Sequence, residues 1–220
     1  FRSNREQKKV LVKDLITGKT YEESYDKLVL SPGAKPIRPK LPGVDREHVF
    51  TVRDVMDIEK IHTYLQQHRL KHIAVIGGGF IGIEVAENLK LADYEVTLVE
   101  FANQVMAPFD EDMAQILHKE MVDHGVNLVL NDGLAKVADD YVITQSGKKI
   151  KAEAVILAIG VRPETHLAEA AGLDIGETGA IKVNQHYLTS DPDIYAVGDA
   201  IEVYHRLLHK PTRLALAGPA

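Results

Sequence analysis

Gly77-Gly78-Gly79-Phe80-Ile81-Gly82, followed further on by the acid Glu100, have the types and spacing needed to hold a dinucleotide. Gly77 allows a tight turn out of a strand, and Gly79 has no side chain to block a pyrophosphate. Gly82 lets a helix pack close against a sheet. A helix starting here offers unpaired N–H groups and partial positive charge to phosphates. A carboxylate at Glu100 can accept hydrogen bonds from both hydroxyls of an adenosine ribose. It would also repel a 2′-phosphate, so NADH is favoured over NADPH. The glycines alone are a weak signal, because other α/β proteins carry glycine-rich turns. The flanking residues strengthen it. His72–Ile76 is a short apolar run before the glycines, and Ile81, Val85 and Leu89, with Ala86 beside them, follow at helical spacing. Glu95–Glu100 is a second apolar strand that closes on the acid.

A second group with chemical potential lies near the end of the sequence. Thr189-Ser190-Asp191-Pro192-Asp193 reads as a turn, Ile194–Val197 as a short apolar strand, and Gly198-Asp199-Ala200 as its exit. Gly198 lets backbone approach a ligand, and Asp199 can hydrogen-bond sugar hydroxyls. The competing role for Asp199 is a helix N-cap. His205 and His209 are four apart, but no HExxH or cysteine pair accompanies them, so a solvated helix face is expected and no metal site.

At 220 residues the chain can hold one large or two small domains. Its 45% hydrophobic and 26% charged residues are those of an ordinary soluble globular protein. A net charge of −6 without a basic cluster argues against a nucleic-acid partner. No run approaches the roughly 18 apolar residues of a membrane span. There is no cysteine, which excludes disulfide and thiol chemistry within these residues. The sequence starts at Phe1 without a methionine and reads as an internal piece of a longer protein.

The elements that must position these groups follow in order. Lys9–Lys13 and residues 22–30 flank a turn at Thr17-Gly18-Lys19, a hairpin signal. The prolines and glycines of 32–43 predict an extended connector and no regular element. Thr51 and Asp54 resemble a capping box for a helix running to about His68, with Ile58, Ile61 and Leu65 inward. After the 72–100 unit, Asp110 is placed to cap a helix with Met113, Leu117 and Met121 inward and Gly125 as its stop. Strands are predicted over 126–130 and 154–159, a meander over 134–150, and a short helix over 164–171. The chain also contains an internal echo: an apolar strand runs into Ser31-Pro32-Gly33-Ala34-Lys35-Pro36, and another into Ala158-Ile159-Gly160-Val161-Arg162-Pro163. Either the two are equivalent, or such turns arose twice independently.

Taken together, these motifs resemble the pyridine nucleotide-disulfide oxidoreductases, FAD-dependent flavoproteins. The nearest likeness is to the branch of coenzyme A disulfide reductases, NADH oxidases and NADH peroxidases. Gly77–Glu84 resembles the family's NAD(P)H loop, Ala158–Pro163 its interdomain motif, and Thr189–Asp199 its second FAD motif. The resemblance implies an α/β fold in which a Rossmann-like NAD(P)H domain, residues 52–172 with a parallel sheet and meander, is inserted in the β-rich remainder of an FAD domain, residues 1–51 and 173–220. It implies that Gly77, Gly78, Gly79, Phe80, Ile81, Gly82, Glu84, Glu100 and Gly160 serve NAD(P)H. It assigns Ser31, Pro32, Gly33, Gly198, Asp199, Ala200 and Ala217 to FAD. Phe80 is implied as a gate over the flavin and Glu84 as a group positioning the nicotinamide; locally they read as an apolar helix-start contact and a solvated first-turn acid. Leu214–Ala220 resembles the start of a flavin-facing helix. The family's redox cysteine, first FAD loop and dimerisation domain would lie outside the sequence, so the piece alone should not turn over. The implied whole is a cytoplasmic homodimer. It passes electrons from NADH through FAD to a small acceptor: a disulfide, coenzyme A disulfide, persulfide, peroxide or oxygen. The rival is a flavin-free NAD-binding module.

Overall fold

The computed structural model of the chain describes residues 2–215. The first strands are β1 (Arg2–Asn4), β2 (Lys9–Lys13) and β3 (Thr20–Ser24), which form an antiparallel sheet in that order. Lys13 pairs with Thr20 across the expected turn. There the Asp14 carboxylate accepts from the Ile16 and Thr17 N–H groups and from the Thr17 hydroxyl. The predicted 22–30 strand is two strands. After a break at residues 25–27, β4 (Leu28–Leu30) leaves the hairpin to pair elsewhere. Within the expected connector, β5 (Ala34–Pro36) forms a short strand.

The next stretch builds a parallel sheet with both faces covered. Its elements are β6 (Val49–Thr51), α1 (Val55–His68), β7 (His72–Ile76), α2 (Phe80–Leu91), β8 (Glu95–Val99), α3 (Glu111–Asp123), β9 (Asn127–Val129), β10 (Leu134–Val137), β11 (Tyr141–Thr144), β12 (Lys149–Lys151) and β13 (Ala154–Leu157). The order is β6-β13-β7-β8-β9, all parallel, while β10-β11-β12 is an antiparallel meander. Side-chain alternation assigns the faces. Ile73, Val75, Val96, Leu98, Ala154 and Ile156 pack with the helices through Ile61, Leu65, Ala86, Leu89 and Met121. Ala74, Ile76, Val99, Val155 and Leu157 pack with Leu134, Val137, Val142 and Ile150 of the meander. Burial on both faces is why these strands read as unbroken apolar runs. Each fully buried Ile or Leu here contributes roughly 1.5–3 kcal/mol.

Two helix readings differ in detail. The cap of α1 is Asp54, whose side chain accepts from the Asp57 N–H at 3.1 Å, so the helix starts later than a Thr51 cap requires. On α3, Met121 is buried and Leu117 packs on the core as expected, but Ala114 and His118 are the other buried residues and Met113 is exposed. Asp110 stands at the N-cap position but makes no side-chain capping bond.

The chain then returns through β14 (Val161–Pro163), α4 (His166–Ala170), β15 (Ile181–Lys182), β16 (Ile194–Ala196) and β17 (Ile201–His205) to β18 (Lys210–Thr212). β4 pairs in parallel with β16, and β17 lies between β15 and β18. Leu30, Ala168, Leu173, Ile181, Ile194, Ala196, Ala200 and Ile201 form the core here. His205 lies on β17 and His209 in the turn before β18, with φ +49°, so they do not share a helix face. No cluster of potential metal ligands occurs among the described residues. No helix among them is long and apolar enough to cross a membrane.

Contacts divide the chain into two compact units, Pro36–Val161 and the remainder. These units divide at other residues than the sequence-based 51/52 and 172/173: β6 joins the parallel sheet and Pro42 O accepts from Val137 N–H, while Ala168 and Leu173 pack with Leu30 and Ile194. The echoed segments meet as the strand pair β5–β14. Gly33 and Gly160 both have positive φ, +69° and +106°. The bonds are reciprocal: Glu164 N–H donates to Gly33 O at 3.0 Å, and Ile37 N–H donates to Gly160 O at 3.0 Å.

The loop after β9 carries a pH-sensitive tie. Asp132 accepts from the Ser146 hydroxyl at 2.6 Å and from its N–H at 3.0 Å. Hydrogen bonds from the hydroxyls of Ser146 and then Thr144 hold its carboxyl at about 2 instead of 3.8. A depressed carboxyl contributes stability that is fully present above its unfolded value of about 3.9 and is lost as pH falls towards 2. Urea midpoints should therefore drop between about pH 4 and 2 in the wild type. The Asp132→Asn variant should be less stable at neutral pH and show a shallower acid slope.

Candidate functional site

Each compact unit brings its share of the candidate residues to the carboxyl ends of parallel strands, where open α/β sheets bind ligands. In the Pro36–Val161 unit, Gly77 follows β7, Glu100 follows β8, and Ala158 leads from β13 to Gly160. Gly77 N–H donates to Val99 O at 2.8 Å, and Ala158 N–H donates to Ile76 O at 2.7 Å, which fixes the three strand exits side by side. β7 lies at the switch point: α2 leads from it towards β8, while β13 flanks its other edge.

The turn tolerates no side chain at two glycines. Gly77 has φ +108°, and a Cβ there would lie 2.4 Å from Ala158 O. A Cβ on Gly82 would lie 1.9 Å from Gly77 O, so α2 starts in contact with the turn it leaves. Gly79 is different: nothing lies within 4 Å of where its Cβ would be. It is the N-cap of α2, makes no side-chain capping bond, and no acid occupies the first turn. The helix dipole and free N–H groups therefore face open space, a cradle that fits a pyrophosphate.

Glu100 is tied into the loop. Its Oε2 accepts from Gly78 N–H at 2.5 Å and its Oε1 from Ala102 N–H at 2.7 Å. Each oxygen keeps a second lone pair for a ligand hydroxyl. The following peptide is held as well, because Met106 N–H donates to Gly78 O at 2.8 Å. Sequence reasoning missed this segment after β8, because the positive φ of Met106, +51°, and the contact with a histidine on the next helix leave no mark in residue type or spacing.

Phe80 is 59% exposed at the first position of α2, and Glu84 is exposed in its second turn. Neither side chain makes a hydrogen bond or ion pair among the described residues. Ile81 is also exposed; Gly82, Ala86 and Leu89 form the buried face. Ile81, Glu84, Val85 and Leu89 instead line an apolar groove of about 480 Å³ against Ile58, Ile61 and Leu65 of α1.

In the other unit, Ser31 follows β4 and Gly198 follows the adjacent β16, and Val197 N–H donates to Leu30 O at 3.0 Å. Ser31-Pro32-Gly33 and Gly198-Asp199-Ala200 thus leave neighbouring strands at the same end. Gly198 has φ +79° and starts a single 3-10 turn, with Val197 at its cap position. Asp199 caps nothing, and its carboxylate has no partner among the described residues. Ala200 is buried. Thr189 closes the turn before β16, where its hydroxyl donates to Ile194 O at 2.8 Å and accepts from Asp191 N–H at 3.1 Å. Lys27 and then Lys8 hold the carboxyl of Asp193 below its usual range. Ala217 lies outside the described residues.

The chain as a whole is similar to several known proteins. The sequence is 41% identical over 190 residues to an NADH oxidase of Methanocaldococcus jannaschii, covering 84% of this chain and 42% of that protein. It is 33% identical over 214 residues to the coenzyme A disulfide reductase of Staphylococcus haemolyticus, covering 97% of this chain and 48% of that one. The crystal structure of the reduced CoADR-RHD of Bacillus anthracis superposes with a TM-score of 0.96 at 47% identity, over 100% of this chain and 40% of that chain. The chain thus spans less than half the length of these relatives. The family model described as pyridine nucleotide-disulphide oxidoreductase matches residues 1–217, and the chain belongs to that family.

Proposed function

We propose that the intact protein is an FAD-dependent NADH oxidoreductase of the disulfide-reductase type. The observation that carries this reading is the open cradle at Gly79, facing an uncapped helix start and flanked by the carboxylate of Glu100. When bound, NADH supplies a hydride and FAD accepts it. Gly77, Gly78, Gly79 and Gly82 shape the pyrophosphate seat, the N–H groups at the start of α2 meet its charge, and Glu100 receives the adenosine ribose. Gly160 belongs to the neighbouring strand exit. Phe80 covers the reacting end and excludes water, and Glu84 orients the nicotinamide. Ser31, Pro32, Gly33, Gly198 and Ala200 line the flavin seat, and Asp199, free of any other partner among the described residues, accepts hydrogen bonds from the flavin's sugar-like chain.

The acceptor is a small molecule, a disulfide, coenzyme A disulfide or persulfide, a reading supported by the likeness to the coenzyme A disulfide reductase. The 220 residues contain no cysteine, so a thiol relay draws its cysteine from outside them. The second reading, an oxidase or peroxidase acting on oxygen or peroxide, is favoured by the likeness to the NADH oxidase. The same proposal makes the intact protein a cytoplasmic homodimer, which light scattering after size exclusion tests. The deciding experiment is an anaerobic titration of the intact protein with NADH, followed by flavin absorbance, and then addition of coenzyme A disulfide. Bleaching that recovers on the disulfide supports the reductase. Recovery only in air supports the oxidase. A protein without a flavin spectrum overturns the proposal.

A further inference from the structure

We infer that His118, remote in sequence from the glycine loop, is the positioning residue that holds that loop in its dinucleotide-binding shape. The inference rests on the NADH reading above and adds a residue to it. His118 is buried on α3, and its Nε2 accepts from the N–H of Val105 at 3.0 Å. An imidazole nitrogen that accepts carries no proton, so the ring proton sits on Nδ1, which faces Gln115 Oε1 at 3.4 Å. Val105 is fully buried, so no water can replace the histidine as partner of its amide.

The next residue transmits the constraint. Met106 is a non-glycine residue at φ +51°, a conformation that persists only where neighbours enforce it. In that conformation its N–H reaches Gly78 O at 2.8 Å. Gly78 N–H is held by Glu100 at 2.5 Å, so a single segment grips the two successive loop peptides that meet at Gly78. The Glu100 end of the segment is anchored by β8. At the Met106 end, Val105 and Met106 are buried in the helix-side core, and the hydrogen bond that ties this end to another element is the Val105–His118 bond, beside local turn bonds from Phe109 N–H to Met106 O and from the Gln104 amide to Phe109 O. Val105 itself packs on the loop, with Cγ1 2.8 Å from where a Gly78 Cβ would stand. Without the acceptor at His118, Met106 relaxes and the Gly78 carbonyl is released.

The test is steady-state kinetics with NADH on the full-length protein carrying FAD, with direct NADH binding measured in parallel. His118→Leu removes the acceptor at similar volume. Its KM for NADH should rise roughly tenfold, the scale of leaving one buried amide unpaired, with kcat within about twofold, the pattern of lost ground-state binding. His118→Gln places an amide oxygen near the Nε2 position and should restore KM to within about twofold of wild type. Should the leucine variant not fold, His118→Asn, too short to reach Val105, takes its place with the same expected rise. An unchanged KM in the leucine or asparagine variant, a glutamine variant as impaired as leucine, or a loss confined to kcat would each overturn the inference alone. A wild type that neither binds nor oxidises NADH would overturn the dinucleotide reading itself.

Discussion

Gly82→Ala should abolish useful NADH binding and destabilise the protein, although alanine is the better helix former. In an exposed helix interior that exchange gains about 1 kcal/mol. Here the new methyl would stand 1.9 Å from Gly77 O, a backbone atom fixed by its own strand exit. Either α2 moves outward, losing the contacts of Ala86 and Leu89 with the sheet, or the turn deforms. Overpacking of this kind costs roughly 1–3 kcal/mol, so the clash outweighs the propensity gain and the net sign is destabilising. A shift of about an ångström at the phosphate seat costs on the order of a hundredfold in function. Urea unfolding and NADH titration of the same preparation measure both effects. An alanine variant as stable as wild type with unchanged NADH affinity would show that the close approach is not required.

Glu100→Ala should change which nicotinamide cofactor is used. The carboxylate accepts from Gly78 and Ala102 N–H groups and, in the proposed complex, from the ribose hydroxyls. Hydrogen bonds to a charged group are worth about 1.5–3 kcal/mol each, so kcat/KM for NADH should fall roughly ten- to a hundredfold. NADPH should lose less, because its 2′-phosphate no longer meets a negative charge. The NADH/NADPH ratio of kcat/KM should therefore move towards unity. An equal loss with both cofactors would reduce Glu100 to a loop-stapling role.

The β7–glycine–α2–β8 unit was legible in the sequence because its causes are local. Apolar runs, a glycine turn and helical periodicity are written within the consecutive residues 72–100, and the strand exits follow from them. The meander was legible for the same reason, while the parallel sheet was implied by the family resemblance. Family membership came from three short motifs that happen to be contiguous. What tertiary structure decided was every pairing between distant residues. Nothing local says that β4 abandons its hairpin for β16 or that the echoed segments pair as β5 and β14; such partners are chosen by burial and backbone hydrogen bonding across long loops. Periodicity found α3 and the inward positions of Leu117 and Met121 but misplaced Met113, because Met113 and Ala114 are one step apart on the helix and only packing selects the smaller residue for burial. The grip on Gly78 by Glu100 and Met106, and its anchor at His118, depends on a strap that crosses back over the loop. Residue types and spacing therefore determined the fold class and the chemistry to look for, while the close approaches that shape the site were decided by the fold, since contact between residues far apart in sequence leaves no local periodic trace.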